Sequence, residues 1–140
     1  MDIKELIPQR EPFLFIDKII EFEDDKLTTQ ITFNDRFDFF KGHFPARPVV
    51  PGVILSEHCF QSGAALMATL HKKSLSDKIA VVSRIKNCKF KQLCSINDVI
   101  TTSTELIESM EDAFYLRSIG KNQDGKKVII IDYVCNLIEE

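Results

Sequence analysis

The stretch PGVILSEHCFQSGAALMATLHK, residues 51–72, decides the fold of this 140-residue chain. After Pro51 and Gly52 it contains no further proline, and helix-forming and apolar residues follow one another from Val53 to about Lys72. Apolar residues would cover nearly every face of a helix built from this stretch, so the pattern predicts one long helix that is buried on most sides. Such a helix needs other elements around it, which the rest of the chain must supply.

Six other segments have the composition of β-strands, because they are rich in Val, Ile, Thr, Phe and Tyr and several alternate in polarity with a period of two. They are residues 17–22, 27–33, 79–90, 97–107, 113–120 and 127–138. Two strands, one helix and four strands in this order predict an α+β architecture. In it, a curved antiparallel sheet of about five to six strands wraps around the long buried helix.

Composition limits the classes of protein that this chain can belong to. Hydrophobic residues make up 44% and charged residues 28%, the balance of a globular protein, and we expect a single domain over residues 1–140. The net charge of −3 lacks the basic excess of nucleic-acid-binding proteins. No apolar run approaches the roughly 18 residues of a membrane span, and residues 1–10 do not resemble a signal peptide. We therefore expect a cytoplasmic protein that binds neither nucleic acid nor membrane, with reduced and mostly buried cysteines.

Two ionisable residues near the start of the helix could carry chemistry. His43 lies in the irregular stretch 34–50. Its imidazole either acts as a base or has only a structural role, with its ring nitrogens hydrogen-bonded to backbone groups. Glu57 lies one and a half turns into the helix, and a carboxyl in such apolar surroundings needs a partner or a raised pKa. Gln61, four residues later on the same face, can hydrogen-bond to it. The alternative is that Glu57 faces solvent on the helix surface.

Gly52 adds a third element, because the N–H groups in the first turn of a helix lack intrahelical acceptors and favour negative charge. A glycine lets a substrate carbonyl approach these N–H groups closely, although Pro51-Gly52 could also do no more than begin a helix. A base, an acid and a carbonyl-polarising donor are what proton abstraction next to a carbonyl requires, followed by loss of a β-substituent. His58 and His71 lack the spacing of metal ligands, so we expect them to be structural or surface residues.

Residues 42–57, GHFPARPVVPGVILSE, closely resemble the signature of the β-hydroxyacyl-[acyl carrier protein] dehydratases, which are hotdog-fold enzymes of fatty acid synthesis. Residues 7–17, IPQREPFLFID, resemble the N-terminal motif of this family. The resemblance implies that His43 is the catalytic histidine, that Glu57 is the catalytic carboxylate, and that the Gly52 N–H binds the thioester carbonyl. It implies no metal and no cofactor. The substrate-binding residues expected beside them are Gln61, Phe44 and Phe60.

The resemblance implies dehydration of β-hydroxyacyl thioesters, carried on acyl carrier protein, to trans-2-enoyl thioesters. It also implies an obligate homodimer in which the histidine and carboxylate of one site come from different subunits, with a trimer of dimers as a further assembly. Acyl carrier proteins are acidic, so a basic patch that binds them is expected. The same basic residues could instead form a solvated strand edge that discourages aggregation. These residues are Arg84, Lys86, Lys89 and Lys91. Two alternatives are a hotdog-fold thioesterase and a non-catalytic acyl-binding module.

The eleven phenylalanines, in a chain without tryptophan, divide into two expected groups. One group surrounds the loop of His43 and is expected to line a tunnel for the acyl chain: Phe37, Phe39, Phe40 and Phe44. The other is expected in ordinary core packing: Phe33, Phe90 and Phe114. Three departures from the family pattern are Gln9 in place of a histidine, Ala46 in place of a glycine, and Ile96-Asn97 in place of Pro-Gly.

Overall fold

The apolar stretch after Pro51 forms the long helix that the sequence predicts. In a computed structural model, which describes residues 1–71 and 78–139, helix α1 spans Gly52–Leu70. Lys72, the predicted end of the helix, lies outside the described residues. The strands are β1 (Lys18–Glu23), β2 (Lys26–Thr32), β3 (Lys78–Phe90), β4 (Val99–Met110), β5 (Ala113–Lys121) and β6 (Lys127–Glu139). Short 3-10 helices at Ile3–Glu5 and Asp38–Lys41 complete the regular structure.

The six strands form one antiparallel sheet in the order β1-β2-β4-β5-β6-β3. Helix α1 packs against the concave side of this sheet and touches β2 to β6. The predicted α+β architecture, one helix wrapped by an antiparallel sheet, is therefore confirmed. Strand β3 is at one end of the sheet, so one of its edges has no neighbouring strand among the described residues.

Helix α1 is held in the sheet by polar bonds as well as by apolar packing. The hydroxyl of Tyr133, on β6, donates to the carbonyl oxygen of Cys59 at 2.8 Å. The same hydroxyl lies 2.9 Å from Ser118 Oγ on β5. A methyl group at Gly63 would meet the Tyr133 hydroxyl at 2.5 Å, so only glycine lets the helix approach β6 this closely. The other buried residues of α1 are apolar except His58, Gln61 and Ser62, whose polar side chains form hydrogen bonds.

The segment before β1 is fixed to α1 by a buried histidine. His58 is fully buried, and its Nδ1 lies 2.7 Å from the carbonyl oxygen of Phe15 while its Nε2 lies 2.8 Å from Thr102 Oγ1. Burial lowers the pKa of His58 to about 4, so the ring is neutral near pH 7. The prediction that His58 is structural is confirmed. No helix in the described part of the chain is long and apolar enough to cross a membrane.

The phenylalanines are distributed differently from the prediction. Phe33 and Phe114 are buried, as expected, but the prediction for Phe90 is wrong because its side chain is 54% exposed at the end of strand β3. Phe37 and Phe40 are buried in a cluster of aromatic rings in the core. The four cysteines are unpaired thiols, of which three are buried, as predicted.

Candidate active site

The carboxyl group of Glu57 is half-buried on α1, and Gln61 holds it from one turn further along the helix. Gln61 Nε2 donates to Glu57 Oε2 at 3.0 Å. Burial raises the pKa of Glu57, and the hydrogen bond from Gln61 offsets part of this rise. The predicted i,i+4 pair is therefore present, and the fold favours the protonated carboxyl more than water does. A carboxyl in this state can act as a proton donor nearer to neutral pH.

Gln61 also ties this carboxyl to the N-terminal segment. Its Oε1 accepts a hydrogen bond from the Phe15 N–H at 2.8 Å, and its Nε2 donates to the Phe13 carbonyl oxygen at 2.9 Å. With the bond to Glu57, both amide hydrogens and the amide oxygen of Gln61 are used within the protein. The amide therefore orients Glu57 and has no donor left over for a substrate.

Glu57 opens into a cavity of about 350 Å³ between α1 and strand β3. Apart from Glu57 and two glutamines, the wall of this cavity is apolar or carries a thiol. The lining residues are Gln9, Glu57, Phe60, Gln61, Ala64, Ala80, Val81, Val82 and Cys135. Burial raises the pKa of Cys135 to about 12, so its thiol stays protonated. Such a cavity suits an apolar chain whose reactive end meets a single carboxyl.

Gly52 begins α1, and no side chain caps the helix there. The first backbone hydrogen bonds of the helix are donated by the Ile54 and Leu55 N–H groups to the Pro51 carbonyl oxygen. The Gly52 and Val53 N–H groups before them have no acceptor in the part of the chain that the structure describes, as expected for a helix start. The structure adds a second reason for the glycine: the ring of Phe90 lies 3.0 Å from where a Cβ at position 52 would be.

His43 is half-buried in the loop before α1 and has a defined tautomer. Its Nδ1 lies 3.2 Å from the carbonyl oxygen of Val49, and because a carbonyl only accepts, Nδ1 carries the proton. Nε2 of the neutral ring is then the atom with a free lone pair, as a general base requires. The ring of Phe44 contacts His43 edge-on at 4.6 Å, and Phe44 is 65% exposed.

The predicted residues therefore fall into separate groups within one chain. Glu57, Gln61 and Phe60 share a cavity, whereas His43 and Phe44 do not line it. Sequence reasoning missed the β3 residues of the cavity, because strand composition does not reveal which strand faces the carboxyl. It noted Gln9 only as a departure in the N-terminal motif, and this position proves to line the cavity.

One helix enclosed by a single curved antiparallel sheet, with a carboxyl on the helix facing a cavity, defines the class of the hotdog-fold proteins. Within that class, residues 19–127 match the family model of the ApeI-like proteins, described as ApeI dehydratase, and the chain belongs to this dehydratase family. Its curated relatives include the 3-hydroxyacyl-[acyl-carrier-protein] dehydratase FabZ of Halalkalibacterium halodurans, which is 40% identical over 109 residues. This match covers 76% of the chain and 75% of that protein. The protein of the same name from Staphylococcus carnosus is 38% identical over 107 residues, 74% of the chain and 71% of that protein.

Solved structures share the fold at low sequence identity. The dehydratase heterocomplex ApeI:P from Xenorhabdus doucetiae matches with a TM-score of 0.83 at 12% identity, over 100% of this chain and 93% of that chain. A hypothetical thioesterase from Streptococcus pneumoniae, solved with coenzyme A, matches with a TM-score of 0.68 at 13% identity. This match covers 88% of this chain and 89% of that chain. Because dehydratases and thioesterases both appear at this level, the fold does not choose between the two reactions.

Proposed function

We propose that this protein removes water from 3-hydroxyacyl groups carried on acyl carrier protein, to give trans-2-enoyl thioesters in fatty acid or related lipid biosynthesis. The observation that carries the proposal is the half-buried carboxyl of Glu57, whose pKa is raised by burial and which lines a cavity together with Phe60 and small apolar side chains. Elimination of a hydroxyl group needs an acid at the leaving oxygen, and hydrolysis of a thioester does not. The curated relatives, 38–40% identical, carry the name of this reaction.

In the proposed mechanism, Nε2 of His43 takes the proton from the α-carbon of the substrate. The hydrogen bond from Nδ1 to the Val49 carbonyl keeps the lone pair on Nε2 and aims the ring. As the proton leaves, negative charge develops on the thioester oxygen. The unpaired N–H groups at the start of α1, that of Gly52 first, stabilise this charge together with the helix dipole.

Glu57 completes the elimination by giving its proton, directly or through a water molecule, to the β-hydroxyl group. The carbon–oxygen bond breaks, the electron pair from the α-carbon forms the new double bond, and the hydroxyl departs as water. The Glu57 carboxylate and the His43 imidazolium return to their starting states when a proton passes back between them through solvent. Gln61 keeps Glu57 oriented throughout, because its hydrogen bonds tie the carboxyl to a fixed segment of backbone.

We further propose that the active enzyme is a homodimer formed along the outer edge of β3. This strand is 13 residues long, and its outer edge is unpaired among the described residues. Unpaired edges of this length readily add another strand. Large apolar side chains are also exposed on β3 and at the start of α1: Ile85, Phe90 and Val53 are 54%, 54% and 77% exposed. A second copy would cover them and bring its His43 to the Glu57 cavity of the first.

The dimer is tested by the mass of the protein in solution, together with a variant that blocks strand pairing. Replacing Ile85 by Lys places a charge among the exposed apolar groups of β3 without touching the cavity. Light scattering should give twice the mass of the chain for the wild type, or six times for a trimer of dimers, and a lower mass for the variant, which for a wild-type dimer is the mass of a single chain. A monomeric wild-type protein with full activity would refute the shared site.

The acidic carrier protein is proposed to dock on the basic side of β3. Arg84, Lys86 and Lys89 are exposed on this strand, and Lys91 follows it. Lys86 lies 5.1 Å from the ring of Tyr115, and no ion pair in the described residues involves any of the four. Charge reversal at Lys86, Lys89 and Lys91 should lower activity on carrier-linked substrates far more than on a small pantetheine thioester. Equal losses on both would contradict this docking surface.

The reaction itself is tested by following two products from one substrate. Purified protein is mixed with a 3-hydroxydecanoyl thioester of acyl carrier protein, and the enoyl thioester and the free thiol are measured by mass spectrometry. The proposal predicts rapid formation of the enoyl thioester with no matching release of thiol. Steady release of thiol without an enoyl product would identify a thioesterase. Binding of the acyl group with neither product would identify a non-catalytic module.

A further inference from the structure

Gln9 lines the Glu57 cavity and carries an amide oxygen that the protein leaves unpaired. The side-chain Oε1 of Gln9 is buried, and it accepts no hydrogen bond from the part of the chain that the structure describes. A buried acceptor without a partner is rare in folded proteins, because it has given up its bonds to water and gained none in return. This oxygen therefore lowers the stability of the free protein, and a ligand that donates to it would gain a hydrogen bond.

The backbone that carries this amide is held in place, whereas the amide oxygen is not. The guanidinium of Arg10 donates to three carbonyl oxygens at 2.7–2.8 Å, those of Lys4, Ile7 and Gln9. The terminal torsion of a glutamine, between a tetrahedral carbon and the amide, has a broad range of allowed angles. The amide can therefore turn Oε1 towards the cavity without breaking a hydrogen bond at that atom.

The other polar side chains of the cavity have no comparable free acceptor. Gln61 already uses its amide oxygen for the Phe15 N–H and its amide hydrogens for other partners. Cys135 offers only a protonated thiol, and sulfur is a weak acceptor. Glu57 is a donor when it holds the proton that the elimination requires. Among the described side chains that line the cavity, Gln9 thus supplies the uncharged oxygen that is free to accept.

A 3-hydroxyacyl group supplies the donor that this oxygen lacks. Its β-hydroxyl has one hydrogen to donate and lone pairs that accept, and both need partners once the group is removed from water. Building on the proposed dehydratase function, we propose that Gln9 binds the β-hydroxyl of the substrate. Its Oε1 accepts the hydroxyl hydrogen while the protonated Glu57 donates to the hydroxyl oxygen. The two bonds together turn a lone pair of the leaving oxygen towards the acid.

The same two contacts remain useful as the reaction proceeds. The Glu57 proton moves to the β-oxygen, the carbon–oxygen bond breaks, and its electron pair leaves with the oxygen, which becomes water. One hydrogen of this water faces the Glu57 carboxylate and the other stays on Gln9 Oε1, so neither is left unpaired. A saturated acyl group has no hydrogen to donate at this place. Gln9 should therefore select acyl groups that carry a hydroxyl on carbon 3.

The test compares two ligands that differ only in this hydroxyl. Calorimetry measures the binding of octanoyl-pantetheine amide and of both enantiomers of 3-hydroxyoctanoyl-pantetheine amide, in which an amide replaces the reactive thioester. Gln9→Met keeps the length of the side chain and removes the acceptor. Gln30→Met is the matched control, because Gln30 is also half-buried and hydrogen-bonds to Thr101, but does not line the Glu57 cavity. Dehydration of carrier-linked 3-hydroxyoctanoyl groups and Tm at one protein concentration are measured alongside.

The expected result is a loss that depends on the hydroxyl. Gln9→Met should weaken the binding of the preferred hydroxylated enantiomer about tenfold and change the binding of the saturated amide by less than about threefold. Its kcat/KM for dehydration should fall by about the same tenfold. Because Oε1 has no partner in the free protein, the substitution should leave Tm unchanged or raise it. Gln30→Met should match the wild type in both affinities and in kcat/KM.

Equal changes for the two amides in Gln9→Met, or the same selective loss in Gln30→Met, would overturn the role of Gln9. A lower Tm with equal losses for both amides would assign Gln9 a structural role instead. If the wild type forms the enoyl product but Gln9→Met leaves the ratio of the two affinities unchanged, the proposed reaction stands and the role of Gln9 fails. If the ratio falls as expected but the wild type forms no enoyl product, the proposed reaction fails and the hydroxyl-binding role stands.

Discussion

Gln61 is the residue through which the stability of the fold and the position of the Glu57 carboxyl, the proposed acid, are most closely linked. We predict that Gln61→Met, which keeps the length of the side chain and removes its hydrogen-bonding groups, lowers both. The Phe15 N–H belongs to a residue only 2% exposed and would lose the acceptor that lies 2.8 Å away. The Phe13 carbonyl oxygen and the Glu57 carboxyl, both partly buried, would each lose a donor.

The magnitude follows from how far water can replace each bond. A buried donor left unpaired costs about 1–3 kcal/mol, and each partly buried bond contributes about 0.5–1 kcal/mol. We therefore expect the free energy of unfolding to fall by about 3 kcal/mol, which corresponds to a decrease in Tm of about 10 °C. The kcat for dehydration should fall at least tenfold, because the carboxyl no longer has a fixed orientation.

Gln123→Met is the matched control for this experiment. Gln123 also makes two side-chain hydrogen bonds, to the Val99 N–H and to Asp98, but both are exposed to water. Its replacement should lower Tm by no more than about 4 °C and leave kcat unchanged. Melting is followed by circular dichroism at one protein concentration, since the proposed dimer would make Tm depend on concentration. Equal effects of the two substitutions would refute the role assigned to Gln61.

Three further predictions test the surroundings of the site. Gly52→Ala should lower kcat/KM at least tenfold, because its methyl group would narrow the approach of a substrate carbonyl to the N–H and push against the exposed Phe90 ring at 3.0 Å; Phe90→Ala in the same chain should restore the part that comes from the ring. Tyr133→Phe should lower the free energy of unfolding by about 1–2 kcal/mol in urea titrations, because the Cys59 carbonyl loses its 2.8 Å donor. The raised pKa of Glu57 means that the folded protein binds this proton more tightly than the unfolded chain. Wild-type Tm relative to Glu57→Gln should therefore fall as the pH rises from about 4 to about 7, and a constant difference would contradict the burial of this carboxyl.

The sequence could predict the helix and the strands because their patterns arise from burial. Most residues from Leu55 to Leu70 are apolar since the helix packs against the sheet, and alternation in β2 and β6 follows from one face packing on the helix. The pair Glu57–Gln61 could also be predicted, because spacing along a helix fixes which side chains meet. These relationships hold between residues that are close in sequence, so the order of residues alone reveals them.

The cavity walls could not be predicted in this way. Val81 and Val82 line the Glu57 cavity only because β3 pairs with β6 at the far end of the sheet, a contact between segments distant in sequence. Phe90 has the composition of a core residue, yet it lies exposed over Gly52 at the end of an edge strand. In the sequence, an apolar residue of the core cannot be distinguished from an apolar residue that is exposed at a surface for another molecule.

In the proposed enzyme, each active site combines His43 with Glu57, and the two residues come from different subunits. The most direct measurement mixes His43→Ala with Glu57→Gln, each inactive alone, by refolding or co-expressing them in equal amounts. Random pairing makes half of the dimers mixed, and each mixed dimer has one site with both residues intact, so enoyl formation should return to about a quarter of the wild-type rate. If both variants pair but the mixture stays inactive, no site is shared between subunits; if either variant alone retains wild-type activity, that residue does not carry the reaction.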